Sequence, residues 1–377
     1  MATQRILDFL ATRRPEGPCL VVDLDIVENN FHAFRKALPD SAIFYAVKAN
    51  PAPEVLRLLA SLGSNFDCAS VAEIEMALEA GATARQISFG NTIKKERDIA
   101  RAASLGVSLF AVDCVEVVEK VARAAPGARV FCRVLTNGEG AEWPLSRKFG
   151  CVPAMAIDVL LAAARLGLVA TGISFHVGSQ QTDTNAWDAA IGDAKFVFEA
   201  LAEKGIVLTL VNMGGGFPTR YLKDVPAAEA YGRAIFESLR RHFGNRLPET
   251  IIEPGRGMVG DAGVIKAEVV LVSRKSATDE NRWVYLDIGK FGGLAETMDE
   301  AIRYPIVTAR DADRMEPCVL AGPTCDSADV LYEKKPYPLP ISLTVGDEVL
   351  IDVTGAYTTT YASVAFNGFE PLRAYVI

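Results

Sequence analysis

One pattern constrains the fold of this chain more than any other. Between about residue 40 and residue 256, short apolar runs alternate with amphipathic stretches of helical period. Eight strands that alternate with helices predict a parallel (β/α)8 barrel. An open doubly wound sheet is the alternative, because periodicity alone does not prove that a sheet closes. The strand candidates are 42–48, 65–70, 87–90, 109–113, 128–135, 172–178, 208–214 and 250–255.

The chain changes character after Arg256. Segments such as EVVLVSRKS and RWVYLDIG are strand-like and are separated by glycine and proline turns, with little helix between them. This texture predicts a separate all-β domain. The early strand-like segment PCLVVDLD (18–25) has no barrel partner and could pair with that domain, which would bring the termini together. We therefore expect a barrel over 26–256 and a β domain over 257–377 that includes residues 18–25.

Composition narrows the class of protein. The formal charge of −8 and the absence of a basic stripe argue against a nucleic-acid surface. The seven cysteines include no C-x-x-C pair and there are only three histidines, so no metal site is predicted. No apolar run approaches the ~20 residues that span a bilayer, and the N-terminal segment lacks the apolar core of a signal peptide. We expect a cytoplasmic, reduced protein that binds neither membrane nor nucleic acid.

Polar and glycine-rich groups end several of the predicted strands. In a barrel of this type the active site lies at the C-terminal ends of the strands, so these groups should face one mouth. Their convergence is the main physical argument in the sequence, since each one alone is weak. They are Lys48, Asp67, Arg133, His176, Gly214–Gly216 and Glu253–Arg256.

Lys48 ends a run of six uncharged residues, which is unusual because lysine is rarely buried. It could be a rim residue whose stem is buried while its ammonium reaches water. It could instead be a desolvated amine with a lowered pKa, able to act as a Schiff-base nucleophile. A lone lysine at a strand end is more often a rim residue, and the uncharged residues before Lys48 add weight to the second interpretation without deciding between the two.

The triplet Gly214–Gly216 follows the seventh predicted strand, and Arg256 follows the eighth. Glycines let backbone N–H groups approach a phosphate closely, and barrels of this type often bind phosphate in these two loops. The triplet alone could be a flexible loop. Together with Arg256 it favours a phosphate site.

His176 and Glu253 are the remaining acid–base groups at the mouth. His176 could be a buried core histidine, or it could stack on an aromatic cofactor ring. Glu253 could simply pair with the neighbouring Arg256, or it could hold a pyridinium nitrogen in its protonated form. Both alternatives remain open on the residues alone.

A lysine, a phosphate loop, a ring-stacking histidine and a pyridinium acid together resemble a pyridoxal-phosphate site. Six motifs in order also resemble the fold-type III basic amino-acid decarboxylases, which include compact bacterial ornithine/lysine decarboxylases. The resemblance covers the chain from about residue 20 to its end and implies an alanine-racemase-type barrel with a C-terminal β domain. The motifs are FYAVKANP (44–51), HVGSQ (176–180), GGGFP (214–218), EPGR (253–256), GPTCDSAD (322–329) and GAYT (355–358).

The resemblance also implies roles toward pyridoxal 5'-phosphate. Lys48 would form the Schiff base with it, His176 would stack on its ring and Glu253 would pair with its pyridine nitrogen. Asp67 and Arg133 would support the Lys48 side of the site. The implied phosphate-side residues are Ser179, Gly215, Gly216, Gly255, Arg256 and Tyr357.

For the β domain, the resemblance implies a homodimer with shared active sites. Cys325 and Asp326 would reach the site of the neighbouring subunit, with Cys325 as the proton donor. Asp299 and Asp326, together with Tyr357, would bind the substrate, and the two carboxylates suit a distal ammonium. The implied reaction converts L-ornithine or L-lysine to putrescine or cadaverine for polyamine synthesis.

The same motifs are compatible with several alternative functions. Diaminopimelate decarboxylases usually have C-E-S where this chain has Cys325-Asp326-Ser327, and alanine racemases usually place an arginine where this chain has Glu253. A non-catalytic regulator on the same scaffold would be expected to lose Lys48 or Cys325. Arginine is not the expected substrate, because decarboxylases that take it are usually much longer. The choice between ornithine and lysine stays open, since one methylene is worth only ~1–3 kcal/mol of discrimination.

Overall fold

The structure is a computed structural model. It describes residues 2–143 and 148–377. The strands in the described residues are β1 Cys19–Val22, β2 Ser41–Ala46, β3 Asn65–Cys68, β4 Ile87–Phe89, β5 Leu109–Val112, β6 Arg129–Arg133, β7 Ala141–Trp143, β8 Val169–Ser174, β9 Ser179–Gln181, β10 Leu210–Asn212, β11 Glu249–Ile252, β12 Gly263–Ser273, β13 Arg282–Leu286, β14 Ile306–Thr308, β15 Met315–Ala321, β16 Val330–Pro340, β17 Glu348–Asp352 and β18 Arg373–Val376.

The α-helices of the same residues lie mostly between the strands of the first two thirds of the chain. They are α1 Gln4–Arg13, α2 Leu24–Ala37, α3 Pro53–Ser61, α4 Val71–Glu79, α5 Glu96–Ser104, α6 Val115–Ala124, α7 Pro153–Arg165, α8 Ala186–Ala202, α9 Ala228–Phe243 and α10 Arg256–Val259. No helix in the described ranges is both long enough and apolar enough to cross a membrane.

Eight parallel strands close into a barrel in the order β10-β11-β2-β3-β4-β5-β6-β8. The barrel prediction is therefore confirmed, and the open doubly wound sheet is wrong. Apolar residues from several strands fill part of the core, so the barrel is packed rather than open. This core cluster consists of Phe44, Leu109, Ala111, Phe131, Leu210 and Ile251.

The strand that leads to Lys48 is shorter than predicted. β2 stops two residues before it, and Lys48 lies in a 3-10 turn over Val47–Ala49. The hydroxyl of Tyr45 donates to the backbone carbonyl of Asn50 at 2.9 Å, and the side chain of Asn50 accepts from the backbone N–H of Ala52 at 3.1 Å. These two bonds turn the chain ahead of α3, so Lys48 follows the strand instead of ending it.

A second sheet of eight strands is built mainly from the C-terminal third of the chain. Its main path runs β14-β17-β12-β13-β15-β16. β1 pairs antiparallel with β12 and parallel with β18, so both ends of the chain join one sheet. The four residues of β1 are all buried, which explains the uninterrupted apolar run that the sequence has there.

The chain separates into two compact units. The barrel unit comprises Glu28–Pro218 and Val225–Met258, and the β unit comprises residues up to Val27 together with Thr219–Asp224 and Val259–Ile377. Several elements were not predicted from the sequence. They include the N-terminal helix α1, capped by the Thr3 side chain, the strands β14 and β16, and the two-stranded sheet formed by β7 and β9.

Closure of the barrel leaves no room for a side chain at Gly172. This residue of β8 is in register with Leu210 of β10, and a Cβ placed on it would lie 1.9 Å from the Leu210 carbonyl oxygen. Gly172→Ala must push β10 away, so we expect its free energy of unfolding to fall by about 2 kcal/mol. Chemical denaturation measures the change. Val169→Thr, at an exposed position of the same strand, is the control and should stay within about 0.5 kcal/mol of wild type. Equal stability of the two variants would contradict this prediction.

Candidate active site

Five ionisable side chains gather at the C-terminal ends of the barrel strands. Asp67 is the third residue of β3 and Arg133 is the last residue of β6. Glu253 directly follows β11, while Lys48 and His176 each follow their strands by two residues. The sequence predicted His176 inside its strand, and the structure places it in the loop beyond. The charges perturb one another's pKa values, so the mouth is one electrostatic unit.

Lys48 is exposed in the structure, as the first of its two interpretations expects, so the barrel does not bury this residue. Lys48 still acts on its neighbours, because it lowers the pKa of Asp67, of His176 and of Glu253. The amine is therefore held among acid–base groups while remaining open to a ligand.

Asp67 is the buried anion beside Lys48. The hydroxyl of Ser88 donates to its Oδ1 at 3.2 Å, and a Cβ placed on Gly90 would lie 1.8 Å from that oxygen. Burial raises the pKa of Asp67, and Lys48, Ser88 and Arg133 oppose the rise. The neighbouring strand β4 and its loop thus shape the site around this carboxylate.

Glu253 has a partner that the sequence analysis missed. The side-chain amide of Asn212 donates to Glu253 Oε1 at 2.5 Å, and its Oδ1 accepts from the backbone N–H of Gly214 at 3.0 Å. Burial raises the pKa of Glu253 to about 8, and Asn212 and the nearby cations act against the rise. The available signal was a polar residue at the end of an apolar strand, two residues before the glycine triplet.

His176 is held as a neutral ring. The backbone N–H of Gly178 donates to His176 Nδ1 at 3.0 Å, so the ring proton belongs on Nε2. Burial lowers the pKa of His176 well below its usual value, and Arg133 and Lys48 lower it further. A neutral imidazole with one fixed tautomer presents a flat, uncharged face to the mouth.

The glycine triplet forms a close backbone cradle. A Cβ on Gly214 would lie 2.1 Å from the Phe175 carbonyl oxygen, and one on Gly216 would lie 2.5 Å from the Gly178 carbonyl oxygen. Nearby, the guanidinium of Arg256 donates to the hydroxyl of Ser179 at 3.2 Å. Backbone amides, a hydroxyl and a buried guanidinium are the donor set that a phosphate requires, so this part of the site fits a phosphate-bearing cofactor.

Four further site residues predicted from the sequence lie in the β unit. Cys325 and Asp326 are exposed neighbours in one loop, and the backbone N–H of Cys325 donates to Asn367 Oδ1 at 2.8 Å. Tyr357 is half-buried in a left-handed conformation with φ of 56°, and Asp299 adopts φ of 55°. Non-glycine residues rarely hold this conformation, and where they do they cluster at functional sites.

The loop that carries Cys325 is held by a buried carboxylate that sequence reasoning also missed. Asp329 accepts from the backbone N–H of Lys290 at 2.7 Å, and from the backbone N–H and hydroxyl of Thr324 at 3.1 and 2.7 Å. A Cβ on Gly289 would lie 2.1 Å from Asp329 Oδ1. This close packing fixes the loop from behind while Cys325 stays exposed.

Comparison with known proteins agrees with this geometry. Residues 24–260 match the family described as pyridoxal-dependent decarboxylase, pyridoxal binding domain. The chain is 38% identical over 369 residues to the lysine/ornithine decarboxylase of Selenomonas ruminantium, covering 97% of this chain and 91% of that protein. It is also similar to the crystal structure of the lysine/ornithine decarboxylase from Vibrio vulnificus complexed with cadaverine, with a TM-score of 0.88, 30% identity and full coverage of both chains.

One similarity removes an argument made from the sequence. The arginine decarboxylase of Paramecium bursaria Chlorella virus has a TM-score of 0.90 and 26% identity to this chain, with 99% of both chains covered. A decarboxylase named for arginine can therefore be as compact as this chain, and length does not exclude that substrate. The barrel, the cradle and the family match agree on one assignment: this chain belongs to the pyridoxal-dependent decarboxylase family.

Proposed function

We propose that this chain decarboxylates L-lysine, L-ornithine or both, releasing carbon dioxide and the corresponding diamine. One observation carries the proposal: an amine, two carboxylates, a guanidinium and a neutral imidazole meet at the barrel mouth, in the same unit as a phosphate cradle. The named relative acts on lysine and ornithine, and its counterparts from Vibrio vulnificus were solved with cadaverine and with putrescine.

Different residues of the chain would bind the different groups of pyridoxal phosphate. Lys48 would link to its aldehyde, while Gly215, Gly216, Ser179 and Arg256 would bind its phosphate. Gly255 precedes Arg256 in a buried turn and would let the backbone approach the phosphate closely. Tyr357 would donate its hydroxyl to the same phosphate. When bound, the cofactor supplies a carbonyl that condenses with amines and a pyridinium that accepts an electron pair.

Glu253 and His176 would set the electronic state of that ring. A carboxylate at the pyridine nitrogen keeps the nitrogen protonated, and Asn212 orients Glu253 for this through its hydrogen bond. A neutral His176 can stack on a cationic ring without charge repulsion, which its lowered pKa favours. Arginine at the position of Glu253 would leave the nitrogen unprotonated, so the acid favours decarboxylation over racemisation.

Asp299 and Asp326 would select the substrate by charge. Both are exposed carboxylates of the β unit, and each would attract the distal ammonium of lysine or ornithine. A distal carboxylate, as in diaminopimelate, would meet like charge, which costs several kcal/mol across an interface.

Cys325 would deliver the proton that replaces the carboxylate at Cα, in the site of a second copy of the chain. Its thiol is exposed on a fixed loop. In the same unit, Val364, Tyr361 and Phe369 are exposed by 82%, 54% and 45%. These three large apolar side chains lie within nine residues of one another in the chain, and we propose that they belong to the surface of a homodimer with shared sites.

Carbon dioxide release with L-ornithine, L-lysine, L-arginine and meso-diaminopimelate tests the substrate. We expect kcat/KM for lysine or ornithine to exceed that for diaminopimelate by about 100-fold or more, because of the repulsion at the distal end. L-arginine, whose distal group is also cationic, tests selection by shape rather than by charge. Turnover of diaminopimelate alone would contradict the assignment of Asp299 and Asp326.

A mixture of two inactive variants tests the shared site. Lys48→Ala and Cys325→Ala should each lose nearly all activity, and Lys48→Ala should also lose the visible absorbance of the Schiff base. In an equimolar mixture of dissociated and reassembled chains, we expect about one quarter of wild-type activity, because half of the dimers carry one intact site. No recovery would mean that Cys325 serves the site of its own chain, or no site at all. Wild type mixed with Cys325→Ala is the control for reassembly.

The Glu253 carboxyl predicts a pH effect on the cofactor-free protein. Its pKa is about 8 in the folded chain against 4.5 for an exposed glutamate, so between these values the folded state holds one proton more. The free energy of unfolding should therefore fall as the pH rises from about 5 to about 8. Glu253→Gln lacks this titration, so its stability should increase relative to wild type over the same range. Parallel pH profiles of the two proteins, measured by chemical denaturation, would contradict the prediction.

A further inference from the structure

We propose that Glu300 is a positioning residue that fixes the Asp299 carboxylate for the substrate's distal ammonium. This inference rests on the proposed function of Asp299 and deepens it. Glu300 is absent from the motifs that the sequence analysis used. Its carboxylate bonds to the protein backbone, whereas that of Asp299 is exposed. All residues of the argument lie in the β unit.

The Glu300 carboxylate is bound by consecutive backbone amides. Its Oε1 accepts from the N–H of Glu333 at 2.8 Å and of Lys334 at 2.5 Å, and its Oε2 accepts from the N–H of Lys335 at 3.2 Å. The guanidinium of Arg303 also donates to Oε2, at 2.9 Å. Successive backbone N–H groups that converge in this way form an anion-binding nest.

The nest exists because β16 bulges at this point. Cys318 of β15 pairs with Tyr337, and Leu320 pairs with Tyr332, so one intervening residue of β15 faces the four residues 333–336 of β16. The extra residues cannot pair with β15, and their amides curve around the carboxylate instead. The bulge and Glu300 therefore depend on each other.

The same anchor explains an unusual backbone. Asp299 and Glu300 both adopt left-handed conformations, with φ of 55° and 59°. Two successive non-glycine residues in this region persist only where the surrounding structure holds them. The bonds to Glu300 hold it inward, and Asp299 consequently presents its carboxylate outward.

The structure already contains an alkylammonium at Asp299. Lys334 Nζ lies 3.2 Å from Asp299 Oδ1, and the two side chains are exposed by 70% and 83%. An exposed ion pair of this kind is weak and exchanges readily. The distal ammonium of lysine or ornithine has the same chemistry as the Lys334 side chain, so it can take that place on Asp299.

Arg303 makes the support rigid. Its guanidinium lies over the ring of Tyr332 at 4.6 Å and over that of Tyr337 at 5.5 Å, and it donates to the Lys335 backbone carbonyl at 2.8 Å. Both tyrosines are buried. Through Arg303, Glu300 is therefore fixed to the core of the β unit. A residue that positions another side chain must itself be held rigidly in this way.

Binding of cadaverine and of 1-aminopentane to the cofactor-loaded protein tests the inference without catalysis. The second ligand lacks one ammonium and is otherwise the same length. We expect Glu300→Ala to raise the Kd of cadaverine by about 10-fold to 100-fold. Without Glu300 the Asp299 carboxylate would shift, and its hydrogen bond to the distal ammonium of cadaverine would lose its alignment. The Kd of 1-aminopentane should change less than about twofold. Glu300→Gln, which keeps the shape and loses the charge, should give an intermediate increase.

Glu333→Gln is the matched control. It removes a carboxylate next to the nest, but its backbone N–H is unchanged and its side chain is exposed. We expect wild-type affinity for both amines. The melting temperature and visible absorbance of each variant check that the fold and the bound cofactor persist; should Glu300→Ala fail to fold, Glu300→Gln carries the test.

Asp299→Ala, alone and combined with Glu300→Ala, separates the possible outcomes. The inference predicts that Glu300→Ala adds nothing once Asp299 is removed. A weaker cadaverine complex with Asp299→Ala but not with either Glu300 variant would overturn the inference and leave the proposed function intact. If Asp299→Ala left the Kd of cadaverine unchanged, both the inference and the proposed role of Asp299 would be overturned. Equal losses for cadaverine and 1-aminopentane would also overturn the inference, because the effect would not depend on the distal ammonium.

Discussion

The hydrogen bonds that close the barrel are the constraint on which the site depends. β11 pairs with β2, and the backbone N–H of Ala46 reaches the carbonyl of Pro254 at 3.4 Å beyond the last paired residues. This contact joins the end of β2, the first barrel strand in the chain, to the loop that follows β11, the last one. Lys48 and Glu253 are about 200 residues apart in the sequence, and closure alone makes them neighbours. Gly172 serves the same closure on the opposite side of β10.

The charges at the mouth are arranged so that none is buried without an opposing charge. Asp67 and Glu253 are opposed by Lys48 and Arg133, and each pair moderates the pKa shifts that burial causes. His176 stays neutral, which avoids adding a third cation. A cluster of this kind is costly to assemble, because buried charge must be compensated by neighbours. Its retention here fits a site built to bind a charged, aromatic cofactor.

The barrel and most of the charged mouth could be predicted from the sequence, because strand ends in a parallel barrel meet on one side. Alternating apolar and helical segments predicted the closed fold, and the motifs predicted the family. Asn212, Asp329 and Glu300 could not be found in this way. Each acts through a hydrogen bond to a residue distant in the sequence: Asn212 to the Glu253 side chain, Asp329 to the Lys290 backbone and Glu300 to the Glu333 backbone. Glu300 also depends on a bulge in β16 that no local pattern encodes. The sequence left open whether Lys48 is exposed or desolvated, since burial at a strand end depends on the whole barrel.

The pairing of β1 has a consequence for the order of folding during synthesis. β1 is made first, yet its partners β12 and β18 lie at residues 263–273 and 373–376. All eight barrel strands are synthesised between them, so the barrel can form while β1 still lacks both partners. Contacts this distant close slowly because the loop entropy must be overcome first. The apolar segment Cys19–Val22 therefore stays unpaired until β12 has been made, and its other edge stays open until β18 follows, so this strand is open to wrong pairing for much of synthesis.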